Sequence, residues 1–424
     1  MKKKMKLRPW VKITIAVICL ALLFFIGKAI YGLIADANYN YFAQSEYSED
    51  CDNQLNPDIE ETVTDFLNQF YRAESKLPGP FPYWEYDQEQ IDSYIPDMTK
   101  FFKDPESTEA QLWQTSLRYV ITARSLSPVE LSLNDVSFSL TYLKVEQDET
   151  SCNISFTESA QFKFAFLGDT VSESYNMPCE MSLENVDGEW KITKYYREDD
   201  FSLGVSGLYE MTGSIDKTFK KAMNMYIKNL KSREKALESF HKGLVSFDKT
   251  FDVPYDREKA LEYASKYVKK RNSQQWGVYD DFGGNCQNFG SQVLYAGGIP
   301  MDLVGPDIWK YYGDAVDNSS AQTGRSYSWT GAPVFNVYAA NNEGFGLVAT
   351  VDANIYSAEA GDILQVGPRK GEISHTNVVI GTVSQDDQVI DVLFNSNTNN
   401  RINWPLSASL SSNYSLIKVH GYNQ

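Results

Sequence analysis

The stretch WGVYDDFGGNCQNFGSQVLYAGGIPMD, residues 276–302, decides how the carboxy-terminal half of this chain is read. Gly283-Gly284-Asn285 makes a tight polar turn, and Gln287 to Ala296 follows as a helix that Gly297-Gly298 ends. Cys286 is therefore expected at a helix amino terminus, where unpaired N–H groups and the helix dipole favour thiolate over thiol and can donate to an oxyanion. A buried structural cysteine at a helix start is the plainer alternative. A cysteine nucleophile needs a base, and the chain has three histidines. His241 sits in a lysine-rich helical pattern and reads as a surface residue, while His420 lies four residues from the end. His375 stands in GDILQVGPRKGEISHTNVVIGTV, residues 361–383, among consecutive strand-like runs that can deliver it to a sheet end beside a helix, and it is the expected base. The next run, VIDVLFNSNTNN, returns alongside it. With a hairpin loop near Asp386 and Asp387, His375 falls roughly opposite Asn397 or Thr398. Asn397 is the expected orienting residue, because an amide carbonyl can accept from the ring N–H and fix the tautomer. An asparagine-rich turn is the alternative reading.

Working outward, YDREKALEYASKYVKKRN (residues 255–272) reads as an amphipathic helix, and two domains should meet near Asp252. Upstream, SIDKTFKKAMNMYIKNLKSREKALESFHKGLVSF has helical spacing and suits a helical connector, residues 206–250. Before it come four alternating, strand-like runs within residues 129–199 and two helices, DIEETVTDFLNQFYRAE, with Ile59, Val63, Phe66, Leu67 and Phe70 on one face, and Gln88 to Phe102. Helices followed by a meander indicate an α+β unit over residues 58–205. Its order is similar to the cone-shaped nuclear-transport-factor-2-like domains, which implies a structural or targeting module. Residues 37–57 are polar and without a period, and suit a stalk.

The amino terminus carries Lys2, Lys3, Lys4, Lys6, Arg8 and Lys12 ahead of the apolar run from Ile13 to Gly27, continued by Ala29 to Ile34. This pattern predicts a transmembrane helix within residues 1–36, a single-pass cell-membrane anchor with the remaining chain outside. A cleaved signal peptide at Ala35-Asp36-Ala37, and so secretion, is the alternative. The net charge of -17 argues against a nucleic-acid partner. A hydrophobic fraction of 42% is enough for ordinary cores. No histidine-carboxylate cluster has metal-ligand spacing and no phosphate loop occurs, so no cofactor is expected. Cys152 and Cys179 lie in neighbouring strand-like runs and could pair, with buried free thiols as the alternative.

Five ordered blocks, YDREKALEYASKYVKKRN, NCQNFGSQVLYAGGIPM, SYSWTGAPVF, GDILQV and SHTNVVIGTV, make residues 251–424 resemble the bacterial putative amidase domain family, relatives of NlpC-type cell-wall cysteine peptidases. The resemblance implies a papain-like α+β cysteine hydrolase domain with Cys286 as nucleophile and His375 as base. It makes Gln292, Trp329 and Asn285 site-framing residues that could contact substrate, and cell-wall peptide or another amide the substrate. This chain has Asn285-Cys286-Gln287 where the family usually has Asp-Cys-Thr, and Asn397-Thr398 where it has a histidine-threonine pair. A non-catalytic module holding a wall peptide or a partner protein is the alternative function.

Overall fold

The computed structural model describes residues 40–368, 371–411 and 413–424. Phe42–Gln424 forms one compact unit. It opens with an edge strand, β1 (Phe42–Tyr47), inside the segment expected to be an unstructured stalk. Helix α1 (Pro57–Ser75) is begun by Asn56, whose side chain accepts from the Asp58 N–H, and by Pro57 and acidic residues in the first turn. Ile59, Val63, Phe66, Leu67 and Phe70 are buried, as the spacing predicts. The expected helix from Gln88 to Phe102 is instead a short α2 (Gln88–Asp92) and a 3₁₀ turn at Thr99–Phe101. Pro96 between them cannot donate to a continuous helix. A longer helix follows, α3 (Thr108–Ser125), capped by Ser107.

Strands β2 (Leu133–Gln147), β3 (Ser151–Phe164), β4 (Ser172–Val186) and β5 (Glu189–Arg197) form the expected antiparallel meander. β1 joins its edge in parallel on β2. Cys152 faces Leu183 and Cys179 faces Phe156, so the two cysteines are four residues out of register, and both are buried free thiols. Beneath the sheet, Phe66 meets the rings of Trp113 and Tyr195 edge-on. The expected connector is two helices, α4 (Asp200–Thr212) and α5 (Ile215–His241), divided by Gly213 in the left-handed region at φ 62°. α5 is packed rather than free-standing: Asn229 donates to the Ser411 carbonyl at 2.6 Å and Arg233 to the Ser407 hydroxyl at 2.6 Å.

The remainder contains β6 (Val253–Pro254), α6 (Arg257–Tyr267), α7 (Cys286–Ala296), a small ribbon of β7 (Tyr311–Tyr312) and β8 (Gly324–Arg325), then α8 (Tyr327–Thr330) and α9 (Ala332–Asn341). Strands β9 (Gly346–Ala353), β10 (Ile363–Gly367), β11 (His375–Gln385), β12 (Gln388–Ser396), β13 (Arg401–Pro405) and β14 (Asn413–Asn423) complete it. Asp386 and Asp387 turn β11 into β12 with φ of 51° and 60°, the conformation a two-residue hairpin requires. Val378 then faces Asn395, which extrapolates to Thr398 opposite His375.

Both halves share a single mixed sheet of twelve strands, ordered β1-β2-β3-β4-β13-β12-β11-β10-β14-β6, with β5 on β4 and β9 on β14. At the seam Arg401 pairs with Ser174 and Ile402 with Glu173. Arg401 also donates to the Ser174 hydroxyl at 2.7 Å, and Ser172 to the Asn403 carbonyl at 2.7 Å. Tyr175 of β4 sits in the core of the carboxy-terminal part with Val268 and Trp276, its hydroxyl donating to the Val268 carbonyl.

The expected membrane helix and the cell-membrane localisation drawn from it are corrected. Among the described residues no helix is long and apolar enough to cross a membrane. Residues 1–36, to which the anchor was assigned, lie outside the described residues.

Candidate active site

Cys286 is the first residue of α7 and is 8% exposed. Asn285, at the cap position, makes no side-chain cap. Its Oδ1 instead accepts from the Tyr279 N–H (3.3 Å) and Asn288 Nδ2 (2.8 Å), and its Nδ2 donates to Asn397 Oδ1 at 3.2 Å. First-turn N–H groups, which have no partner inside a helix, are thereby left for the thiol. The Asn285 N–H donates to Thr398 Oγ1 at 2.7 Å, which ties the turn before the cysteine to the end of the hairpin. Gly284, at φ 105°, is needed there, since a Cβ would lie 3.1 Å from Thr398.

His375 opens β11, where it pairs with Val366 of β10, and its ring is within hydrogen-bonding reach of the Cys286 thiol. Burial alone would push the thiol up. The charge of His375, a hydrogen bond from it, and the N–H groups of Thr376 and Gln287 together hold it below the ordinary thiol range. Burial would likewise push His375 down, but the cysteine's charge and hydrogen bond, with Asp200 adding to them and Arg401 opposing, raise its proton affinity. Opposite shifts on a touching pair favour thiolate beside imidazolium. His375 Nε2 is buried and has no hydrogen-bond partner among the described residues.

A buried amide network lies under this pair. Gln287 Oε1 accepts from Thr376 Oγ1 at 2.8 Å and from Gln365 Nε2 at 3.2 Å, while Gln287 Nε2 donates to Ser291 Oγ at 3.2 Å. Gln365 also donates to the Ala332 carbonyl at 2.8 Å and to Thr376 Oγ1 at 3.3 Å. The side chains of Gln287 and Thr376 thus lock the two residues whose N–H groups reach the sulfur. Sequence reasoning missed Gln365 and Thr376; the available signal was Gln365, a polar residue inside the otherwise apolar run ILQV, while Thr376 stands among other polar residues and gave none.

The other expected site residues are placed as follows. Asn397 gives its Nδ2 to the Val268 carbonyl at 2.7 Å and its Oδ1 to Asn285. Its amide staples the loop, and no hydrogen bond joins it to His375. Trp329 is 0% exposed, its ring tilted against those of Trp309 and Trp276 at 4.9 and 5.1 Å, with its N–H on Asn288 Oδ1 at 2.9 Å. Gln292 is buried and accepts from the Tyr263 hydroxyl at 2.9 Å. Asn285, Gln292 and Trp329 therefore shape the ground on which Cys286 stands. Trp309 and Tyr338 are core residues too, and Tyr311 and Tyr312 line a recess with Tyr295 near the far end of α7. His241 meets the Val389 carbonyl at 2.7 Å and His420 meets Thr350 Oγ1 at 2.8 Å, and neither accompanies Cys286.

Residues 254–422 match the family described as "Putative amidase domain". The "Uncharacterized protein YhbB" of Bacillus subtilis (strain 168) is 34% identical over 130 residues, which cover 30% of this chain and 37% of that protein. The chain therefore spans well under half the length of this curated relative. The buried cysteine and the histidine beside it both lie within the matched segment, residues 254–422.

Proposed function

We propose that the protein is a cysteine amidase: the Cys286 thiolate attacks an amide carbonyl, and His375 delivers its proton to the departing amine. The observation that carries this reading is the placement of Cys286 as the first residue of α7 with the His375 ring in hydrogen-bonding reach of its thiol, and the opposite directions of their proton affinities agree with it. The oxyanion formed on attack would be held by the Cys286 N–H, unpaired within its helix. Water activated by His375 then hydrolyses the thioester. The proposed substrate class is peptide amide, with cell-wall peptides the first to be tried.

The test is alkylation of the full chain at pH 6 to 8, comparing Cys286→Ser and His375→Ala with the parent and reading the labelled site by mass spectrometry. Rapid labelling at Cys286 that falls at least roughly tenfold in His375→Ala is expected, because the histidine supplies the charge that makes the thiolate. Slow labelling that ignores His375 would leave a module that holds its ligand without cleaving it.

A further inference from the structure

A cavity of about 520 Å³ is lined by His375, and about half its wall comes from α4 and α5. At its polar end stand His375, Asp200 and Asn399, with Asn399 Nδ2 donating to the Asp200 carboxylate. Apart from Ser374 and Ser411, the rest is mostly apolar, with Leu203, Leu208 and Met211 from α4 and Val366 and Leu410 from the carboxy-terminal half. Leu203, on this wall, is exposed.

Two glycines, Gly204 and Gly207, lie inside α4 and face this cavity. Mid-helix glycine costs about 0.5–1 kcal/mol relative to alanine. It is usually repaid by close packing, yet nothing lies within 4 Å of where either Cβ would stand. Their effect is to keep a trough open along the helix. The volume falls within the range of small-ligand pockets, about 300–1,000 Å³. A peptide suits both ends of such a trough: its N–H and C=O groups meet Asp200 and Asn399, and an apolar side chain meets the α4 face. A fatty acyl chain would leave the polar end unused.

We propose that this cavity is the substrate-recognition pocket and takes an apolar side chain of a peptide substrate, next to the amide brought to Cys286 and His375. It rests on the reading of that pair as the reacting groups. The amino-terminal half then supplies specificity to a site whose nucleophile and base lie in the carboxy-terminal half.

The test measures the rate at which Cys286 of the full chain is alkylated by acetyl-glycyl-leucyl and acetyl-glycyl-glycyl chloromethyl ketones, with iodoacetamide as a probe that needs no pocket. The leucyl reagent is expected to react roughly tenfold faster or more than the glycyl one, the discrimination an apolar pocket can give. In Gly207→Leu, which fills the trough with a better helix former, the ratio should fall towards one; circular dichroism checks the fold. A ratio near one in the parent, a ratio unmoved by Gly207→Leu, or preference for a lauroyl-glycyl reagent would overturn the proposal. Failure of Cys286 to react even with iodoacetamide would overturn the underlying pair, a separate and distinguishable result.

Discussion

Gln287→Leu tests the claim that the side chains beneath the reacting pair hold its backbone donors in place. Leucine nearly fills the glutamine's volume, so no large cavity opens. Of the partners of Gln287, Ser291 keeps the Trp309 N–H and the Trp329 carbonyl, and Gln365 keeps the Ala332 carbonyl. The Thr376 hydroxyl alone is left as a buried donor without an acceptor. One such orphan costs about 1–3 kcal/mol. Thr376→Val removes that donor while Gln287 retains Gln365, for about 0.5–1.5 kcal/mol. Because the double variant removes both partners, it should be more stable than the sum of the two, with a coupling of roughly 0.5–3 kcal/mol. Urea unfolding of the four proteins measures this, and alkylation of Cys286 at neutral pH should slow in both single variants. Additivity within about 0.5 kcal/mol, with alkylation unchanged, would refute the network.

Hydrolysis should follow a bell in pH. The acid limb, where the Cys286 thiol takes up its proton, lies below the ordinary thiol range, and the alkaline limb, where the imidazolium loses its proton, lies above the ordinary histidine value. In His375→Ala, burial is unopposed by that charge, so the alkylation profile of Cys286 should move to higher pH. Asp199 offers a stability test away from the site: burial, against the opposing charge of Arg197, pushes its carboxyl up to about 6 from 3.8. A carboxyl raised in the fold contributes stability below about pH 4 that is lost as pH rises through about 6. Asn at 199 still accepts from the Phe201 and Ser202 N–H groups, so Asp199→Asn should flatten the urea midpoint over that window.

Local pattern carried much of the fold. The period of two over residues 133–197 and the period of α1 are statements about which face is buried, and burial obeyed them. The Cys286 turn was legible for a similar reason, because glycines at positive φ followed by a polar cap leave few conformations. What pattern could not show was the use of each polar side chain. Asn397 falls near the predicted register position, but its amide is taken by Val268 and Asn285, partners far away in sequence. Trp329, Gln292 and Asn285 are likewise turned inward by contacts that no spacing reports. The helix Thr108–Ser125 escaped notice because it is buried on most sides, which blurs the polar and apolar stripes that identify an amphipathic helix.

The two halves of the sheet are joined by one strand pair, β13 on β4, yet the meeting bears on the proton affinity of His375. Asp200, at the start of α4, raises it, and Arg401 lowers it. Both charges are held by contacts across the seam: Asn399 on Asp200, and Ser174 on Arg401. The imidazole is thus set between a carboxylate contributed by the amino-terminal half and a guanidinium positioned by a serine from that same half. A carboxy-terminal fragment beginning at β6 would keep Cys286 and His375 but would lose Asp200 and the Ser174 anchor of Arg401. It would also expose the place that Tyr175 fills. On this argument the amino-terminal half is part of the electrostatic setting of His375, and the Cys286 alkylation profile of the isolated segment 254–422 should differ in pH from that of the full chain.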